Sequence, residues 1–410
     1  MTHASTDALA LFPPSRAEAL DRLERFLPRA GREYAATRNA DHGPENRENV
    51  STLSPYIRRR LLTEEEVIAA VLRRHSFQAA EKFVQEAFWR TYWKGWLELR
   101  PAVHERYRRG LAMALDEMRE DDRSKAGYEA ATSGETGIEG FDDWARELVA
   151  TGYIHNHARM WFASIWIFTL RLPWELGADF FMRHLLDGDP ASNTLSWRWV
   201  GGLQTQGKTY LARADNIARY TDGRFSPEGL AETAHPLSGE PHPPPRPLPP
   251  PETPPEGPVA LLVTEEDCFV ETLDLGDARV TAIGAARASE GVSPGMVSQN
   301  VHAFAQGALD DAAARAQARF DAAAHAVPLT AGALSELARE AGARTIVTAY
   351  PPVGPSADAL GALEPALAEE GVRIVRVMRP FDARAWPHAT RGFFQFRERI
   401  PVLLAQGGLA

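Results

Sequence analysis

Between Tyr153 and Trp199 the chain gathers the side chains best suited to holding a polar ligand. The stretch Tyr153-Ile154-His155-Asn156-His157-Ala158-Arg159-Met160 is followed by Asp187-Gly188-Asp189 and by Asn193-Thr194-Leu195-Ser196-Trp197-Arg198-Trp199. These groups sit in segments apolar enough to be core, where amides and charges are costly without partners. A buried Arg159 needs a carboxylate, and a second carboxylate can then accept from a ligand N–H. The same residues also fit a plainer description, in which Asp187 and Arg159 form an interhelix ion pair, Asp-Gly-Asp is a turn and the tryptophans are packing.

The elements that must position these groups are mostly helical. Thr63-Glu64-Glu65-Glu66 reads as an N-cap with first-turn acids, leading into Val67, Ile68, Val71 and Leu72. Residues 78–97 carry Phe83, Ala87, Phe88, Trp93 and Trp96 at helical spacing, and residues 141–148 and 159–170 continue the pattern up to Pro173. The polar residues 119–137 read as a surface loop. Residues 236–257 are half proline and read as an extended, semi-rigid linker. Beyond it, β-type runs at 259–263, 280–283, 345–348 and 372–377 alternate with Ala-rich helices at 309–324 and 331–341. That alternation indicates a parallel sheet with crossover helices. The expected organisation is multi-domain, α and α/β: a helical domain at 1–235, the linker at 236–257 and a Rossmann-like α/β domain at 258–410. Neither G-x-G-x-x-G nor a Walker A sequence marks a nucleotide site in the last.

The formal charge of −10 argues against a chain that coats nucleic acid along its whole surface, although a local basic patch is compatible with it. Residues 1–235 hold 31 basic and 34 acidic side chains, the remainder 14 and 21, so any nucleic-acid contact is expected in the first part. Cys268, the single cysteine, cannot make an internal disulfide or an iron–sulfur cluster. The N-terminus lacks a signal-peptide pattern, and the apolar run 160–170 is too short to span a bilayer. A soluble, cytoplasmic protein with no membrane partner is expected.

Taken as a set and in this order, several segments resemble the DNA photolyase and cryptochrome family. Tyr34-Ala35-Ala36-Thr37-Arg38-Asn39 is similar to its Tyr-x-x-x-Arg-Asn, and Val50-Ser51-Thr52-Leu53-Ser54-Pro55-Tyr56 to its Thr-Ser-x-Leu-Ser-Pro-Tyr. Glu86-Ala87-Phe88-Trp89-Arg90-Thr91-Tyr92-Trp93 resembles the helix that carries the family's lesion-facing Glu and Trp. The resemblance covers roughly residues 16–235 and implies an all-helical FAD-binding domain. It implies Tyr34, Ser51, Thr52, Leu53, Ser54, Arg90, Asn156, Arg159, Asp187, Gly188, Asp189 and Asn193 as cofactor residues. Asp189 would accept from the flavin ring N–H, and Asn193 would lie near the redox-active nitrogen. Arg38, Glu86, Trp89, Asn156, His157, Met160 and Trp199 would meet DNA or its lesion, and Trp197 and Trp174 would start an electron relay. A third relay member has no clear match; Tyr128, Trp161 and Trp166 are the available substitutes.

The implied activity is light-driven repair of cyclobutane pyrimidine dimers in DNA by electron transfer from reduced FAD, a carbon–carbon lyase reaction. The alternative is a cryptochrome-like photoreceptor that signals through a protein partner. Asn156 and Met160 match the cyclobutane-dimer pattern rather than the histidine pair of (6-4) enzymes, which leaves His155 a structural histidine. Three departures stand out. Only about thirty residues precede Tyr34, where the family has an antenna domain. Residues 200–210 lack the family's Phe-Arg-Ile-Phe-Asn-Pro run, and His157 stands where an Arg often meets phosphate. Residues 334–347, 371–374 and 393–396 resemble the antenna domain, so a circular permutation is expected. Thr264-Glu265-Glu266-Asp267-Cys268 replaces the expected Arg-Asp-Leu-Arg, which weakens the case for a folate or deazaflavin antenna there.

Overall fold

Helices form where the apolar spacing and the caps call for them. In the computed structural model, which describes residues 5–288 and 291–409, Thr63 and Glu66 close a reciprocal capping box at the start of the helix Glu64–Arg74. The helix Phe77–Glu98 buries Phe83, Phe88, Tyr92 and Trp96. Helices Phe141–Thr151, Asn156–Ser164, Trp174–His184 and Pro190–Val200 follow. The helix that starts at Asn156 widens into a π-helical segment, Ile165–Thr169, before Pro173. Such bulges stretch the backbone by one residue and re-aim the side chains they carry, here Trp166.

Two segments differ from their sequence reading, the first of them a helix. Residues 119–137, expected as a loop, contain the helix Asp122–Ser133. Asp121 caps it by accepting from the amides of Arg123 and Ser124, and Gly134 ends it at φ 72°. The helix buries only Ala131, so its sequence carries almost no apolar periodicity to reveal it. Its caps were the available signal.

The strands build a single parallel sheet. β1 is Gly257–Thr264, β2 Ala278–Ala286, β3 Ala324–Ala326, β4 Thr345–Ala349 and β5 Arg373–Val377, in the order β3-β2-β1-β4-β5. The central strands are buried on both faces, which explains their continuous apolar sequence. β3 is three residues long and lies where the sequence reading ended a helix; the helix itself is Gln299–Phe320.

Strand order reverses between β1 and β4, the place where open α/β sheets form a crevice at their carboxyl ends. Here the helical part fills that crevice. Arg58 reaches Glu266, just beyond β1, with 2.6 and 2.7 Å hydrogen bonds. Glu98 accepts from the Tyr350 hydroxyl at 2.9 Å and from the Val353 amide at 2.5 Å, just beyond β4. Arg60 donates to Asp382 at 2.5 Å, and Phe88 packs its ring 5.6 Å from Phe381.

Residues 236–256 form neither helix nor strand, and they lie along the helical part as a strap. The Leu237 amide donates to Gly201 O, the Arg246 amide to Leu99 O, and Arg100 Nε to Pro243 O. Among the described residues no helix is long and apolar enough to cross a membrane.

Gly95 marks a tight backbone approach between the two parts. A Cβ there would lie 2.8 Å from the Trp386 Cα, a backbone atom that cannot swing aside. Gly95→Ala is therefore expected to destabilise the protein by about 1–3 kcal/mol, the usual cost of overpacking. A thermal or urea melt against the wild type checks it, and an unchanged midpoint would contradict this packing.

Candidate functional site

The concentrated residues of 153–199 meet in one cavity of about 550 Å³, within the size range of cofactor pockets. Its walls come from the helices Phe77–Glu98, Asn156–Ser164 and Pro190–Val200 and from the loop before the last. Of the residues singled out in the sequence, Arg38, Glu86, Trp89, Arg90, Asn156, His157, Arg159, Met160, Asp187, Gly188, Asp189, Asn193, Trp197 and Trp199 all line it.

Arg159 and Asp187 form a two-pronged ion pair, both contacts at 2.9 Å. Burial pushes the Asp187 carboxyl up, but Arg159 and the Ser54 hydroxyl outweigh this and hold it below its ordinary range. Asp189 caps the helix Pro190–Val200 through the Ser192 amide at 2.8 Å. Its other oxygen lies 3.4 Å from Arg90, 3.7 Å from Lys94 and 3.8 Å from Arg58. Burial would raise its pKa, and these three cations reverse the shift and keep it ionised. Arg58 also donates to Gly188 O at 2.7 Å, so the whole Asp-Gly-Asp turn is pinned from behind. Asn193 donates its amide to Ala178 O at 2.8 Å, which fixes the side chain's rotamer.

The opposite wall is aromatic and acidic. Glu86 pairs with Arg38 at 2.5 Å; burial raises its pKa, and Arg38 only partly offsets this. The Trp89 indole stacks on Phe393 at 3.7 Å and 13°, and Trp199 stacks on Tyr210 at 5.8 Å. His157 uses both ring nitrogens internally, facing Asn39 O at 3.0 Å and the Tyr210 hydroxyl at 3.2 Å. His155 caps its helix by accepting from the His157 amide.

Tyr34 and residues 51–54, selected from the sequence, lie outside this lining. Tyr34 packs its ring on Phe26 and Phe83, and Leu53 is core. Ser51 accepts from the Leu53 amide, and Thr52 accepts from Arg22 at 2.7 Å while holding φ at 49°. That left-handed backbone is costly for a β-branched residue, and such strain clusters at ligand sites. Ser54 is tied to the lining through Asp187.

Trp197 meets Trp166 with centroids 6.1 Å apart, and Trp166 meets Tyr128 at 6.0 Å. Gly177 permits this packing, since a Cβ there would lie 2.3 Å from the Trp197 ring and 2.9 Å from the Trp166 ring. Trp174, also off the lining, packs on Tyr107 at 5.5 Å. Trp161 belongs to a different stack, with Trp144 and His157.

Sequence reasoning missed Asn39, Trp93, Phe181, Ser192 and Phe394 as lining residues. Asn39 and Ser192 adjoin residues that were recognised, and Trp93 lies one turn beyond Arg90. Phe394 comes from the far end of the chain, and no local pattern announces it.

Residues 83–229 match the family model described as the FAD binding domain of DNA photolyase. Over this region the chain is similar to the photolyase and cryptochrome family. It is 33% identical over 221 residues to a deoxyribodipyrimidine photo-lyase of Thermus thermophilus, covering 54% of this chain and 50% of that one. With the enzyme of the same name from Streptomyces griseus it shares 31% over 202 residues, covering 44% and 41%. A solved bacterial class III photolyase from Agrobacterium tumefaciens aligns at 26% identity with a TM-score of 0.46, covering 54% of this chain and 45% of that one. The chain thus spans about half the length of the curated relatives it matches.

The cavity's own polar atoms fit FAD. Ser192 Oγ and Trp197 Nε1 are buried on lining residues without a hydrogen-bond partner, the condition of groups that await a ligand's acceptors. The cationic cluster around Asp189 also makes that carboxylate a fixed acceptor rather than a titrating one.

Removing Asp189 takes away the counter-charge nearest Lys94 and the one that Arg90 and Arg58 share with it. Asp189→Asn, which keeps the shape, is expected to lose most bound FAD, as read by flavin absorbance per protein after gel filtration. Full retention would contradict the pocket assignment. Acid should act through different groups. His104, His155 and His184 are buried and held neutral, burial pushing each down to about 4 from 6.5. With the folded pKa below the unfolded one, their contribution to stability is present above about pH 6.5 and is lost as pH falls toward 4. The melting temperature is expected to fall steadily over that window, and a flat profile would show that these histidines titrate normally.

Proposed function

We propose that the protein is an FAD-dependent, blue-light-driven enzyme that repairs cyclobutane pyrimidine dimers in DNA. The observation that carries this reading is the single cavity in which the Arg159–Asp187–Asp189–Asn193 wall faces Glu86, Trp89, Met160 and Trp199. Reduced FAD, when bound, supplies the photoexcited electron that splits the dimer, and the protein supplies position and electrostatics. Asp187 and Asp189, with Arg159, Arg90 and Ser192, would hold the flavin, and Ser51, Thr52 and Ser54 its phosphates. Asn193 would sit near the reduced ring as a neutral amide, adding no like charge to it. Trp197, Trp166 and Tyr128 give an unbroken line of aromatic contacts for recharging the flavin; Trp174 is its alternative second member.

On the substrate side, a dimer must leave the duplex to enter, at an unstacking cost of about a few kcal/mol. Trp89 and Trp199 would receive its rings, and Met160 and Asn156 would complete the wall. Glu86, held by Arg38 at 2.5 Å, would face the edge of a damaged base. The α/β part would then be a permuted antenna-type domain, joined through 236–257 rather than preceding the helical one.

One observation favours a second reading. Arg38 is already paired with Glu86, and His157 is internally engaged, which leaves this side of the mouth short of free cations for DNA. A blue-light photoreceptor that binds FAD and signals through a protein partner needs no such contacts.

Repair of a dimer-containing oligonucleotide by photoreduced protein, blue light against dark, separates the two when flavin is quantified in the same sample. Light-dependent restoration is expected, with Glu86→Ala lowering its yield about tenfold, the scale of one hydrogen bond to a charged group, at unchanged flavin content. FAD bound without any repair would sink the repair reading and leave the photoreceptor.

A further inference from the structure

A single residue beyond Val200 lines the cavity: Phe394. It is 71% exposed, the most exposed aromatic side chain among the described residues. Its position is not loose. On either side Phe393 and Phe396 are buried at 5% and 1%, and Phe393 stacks on Trp89. Tyr92 and Arg100, from the helical part and its edge, donate to Arg391 O and Thr390 O at 2.7 Å each. The short helix Phe393–Arg397 is thus nailed down beside the lesion-facing wall, with one aromatic ring left projecting into water.

Its neighbours are cationic. Arg397 lies over the Phe394 ring at 5.4 Å, and Arg391 and Arg399 flank the helix with no ion pair among the described residues; Glu398 is the one acid between them. An exposed, rigidly held Phe at a pocket rim, surrounded by free arginines, is what a partner with flat apolar faces and a phosphate backbone would select.

We propose that Phe394 inserts into the gap that the extruded dimer leaves in the base stack, with Arg391, Arg397 and Arg399 on the adjacent phosphates. This rests on the repair reading above and assigns the C-terminal segment a part in substrate recognition. Extruding two bases opens the stack, and an aromatic wedge restores the lost contact. The mouth's deficit of cations on the Arg38 side is met from this side instead.

The test measures dark affinity of the FAD-loaded protein for a dimer in duplex DNA and for the same dimer in a single strand, comparing wild type, Phe394→Ala and Phe394→Trp. One stacking contact is worth about tenfold or more in affinity. Phe394→Ala should weaken duplex binding by that factor, Phe394→Trp should restore it, and single-strand binding should stay within about twofold, since a single strand has no gap to fill. Duplex affinity unchanged in Phe394→Ala overturns the proposal. So does an equal loss on both substrates, which would place the ring along the damaged strand. Wild-type protein that does not prefer dimer-containing duplex sinks the repair reading itself, and this inference with it.

Discussion

The cavity depends on keeping two carboxylates ionised where water does not reach. Asp187 and Asp189 are nearly inaccessible, and a buried carboxylate without counter-charge gives up its charge by taking a proton. Arg159 compensates the first and the Arg90–Lys94–Arg58 cluster the second. Three cations around one anion create their own problem, since a buried surplus of positive charge is as costly as the charge it was meant to neutralise. Glu266 absorbs that surplus by gripping Arg58 with both oxygens, and Glu64 adds a weaker contact to Arg90 at 3.5 Å.

Glu266 belongs to the α/β part. The electrostatic balance of the cavity wall therefore closes only when both parts of the chain are in place. A second layer of charge repeats the arrangement: Arg60 faces Asp382 and Asp267, and Arg379 completes Asp267 with contacts of 2.6 and 2.7 Å. Such buried pairs contribute little net stability over an apolar interface, but each fixes a geometry, because a misplaced partner leaves a naked charge. The acidic Glu265-Glu266-Asp267 is complementary to the basic Arg58-Arg59-Arg60 it meets.

How much of this was legible follows from what each feature depends on. Arg159, Asp187 and Asp189 could be recognised because charged groups in apolar segments stand out, and the mutual pairing of Arg159 and Asp187 follows from burial alone. The strands β1, β4 and β5 were visible as continuous apolar runs. The helix Asp122–Ser133 was not, because it buries one alanine and its stability rests on its caps and neighbours. β3 was hidden by its three-residue length inside an Ala-rich stretch. The contact of Trp197 with Trp166 depends on a π-helical turn and on Gly177, neither of which sequence spacing encodes. Residues 236–256 form neither helix nor strand, as their prolines dictate, but their docking onto Leu99, Arg100 and Gly201 is tertiary information.

The order of the two parts along the chain matters less than their contact. Their relative position is set by the buried ion pairs, by Gly95 against Trp386 and by Phe88 against Phe381 and Phe396, and none of these interactions requires a particular connection. A proline-rich segment supplies the join cheaply, because its residues lose little conformational freedom on ordering and leave few amide donors to satisfy. Its few remaining polar contacts, such as the Arg246 amide on Leu99 O, steer it along the helical surface rather than hold the parts together. Residues 389–397 run beside the mouth of the cavity, where Phe393 lies flat on Trp89. An α/β part joined through 236–257 thus explains both the buried charge that supports the cavity from behind and the aromatic helix that borders it in front.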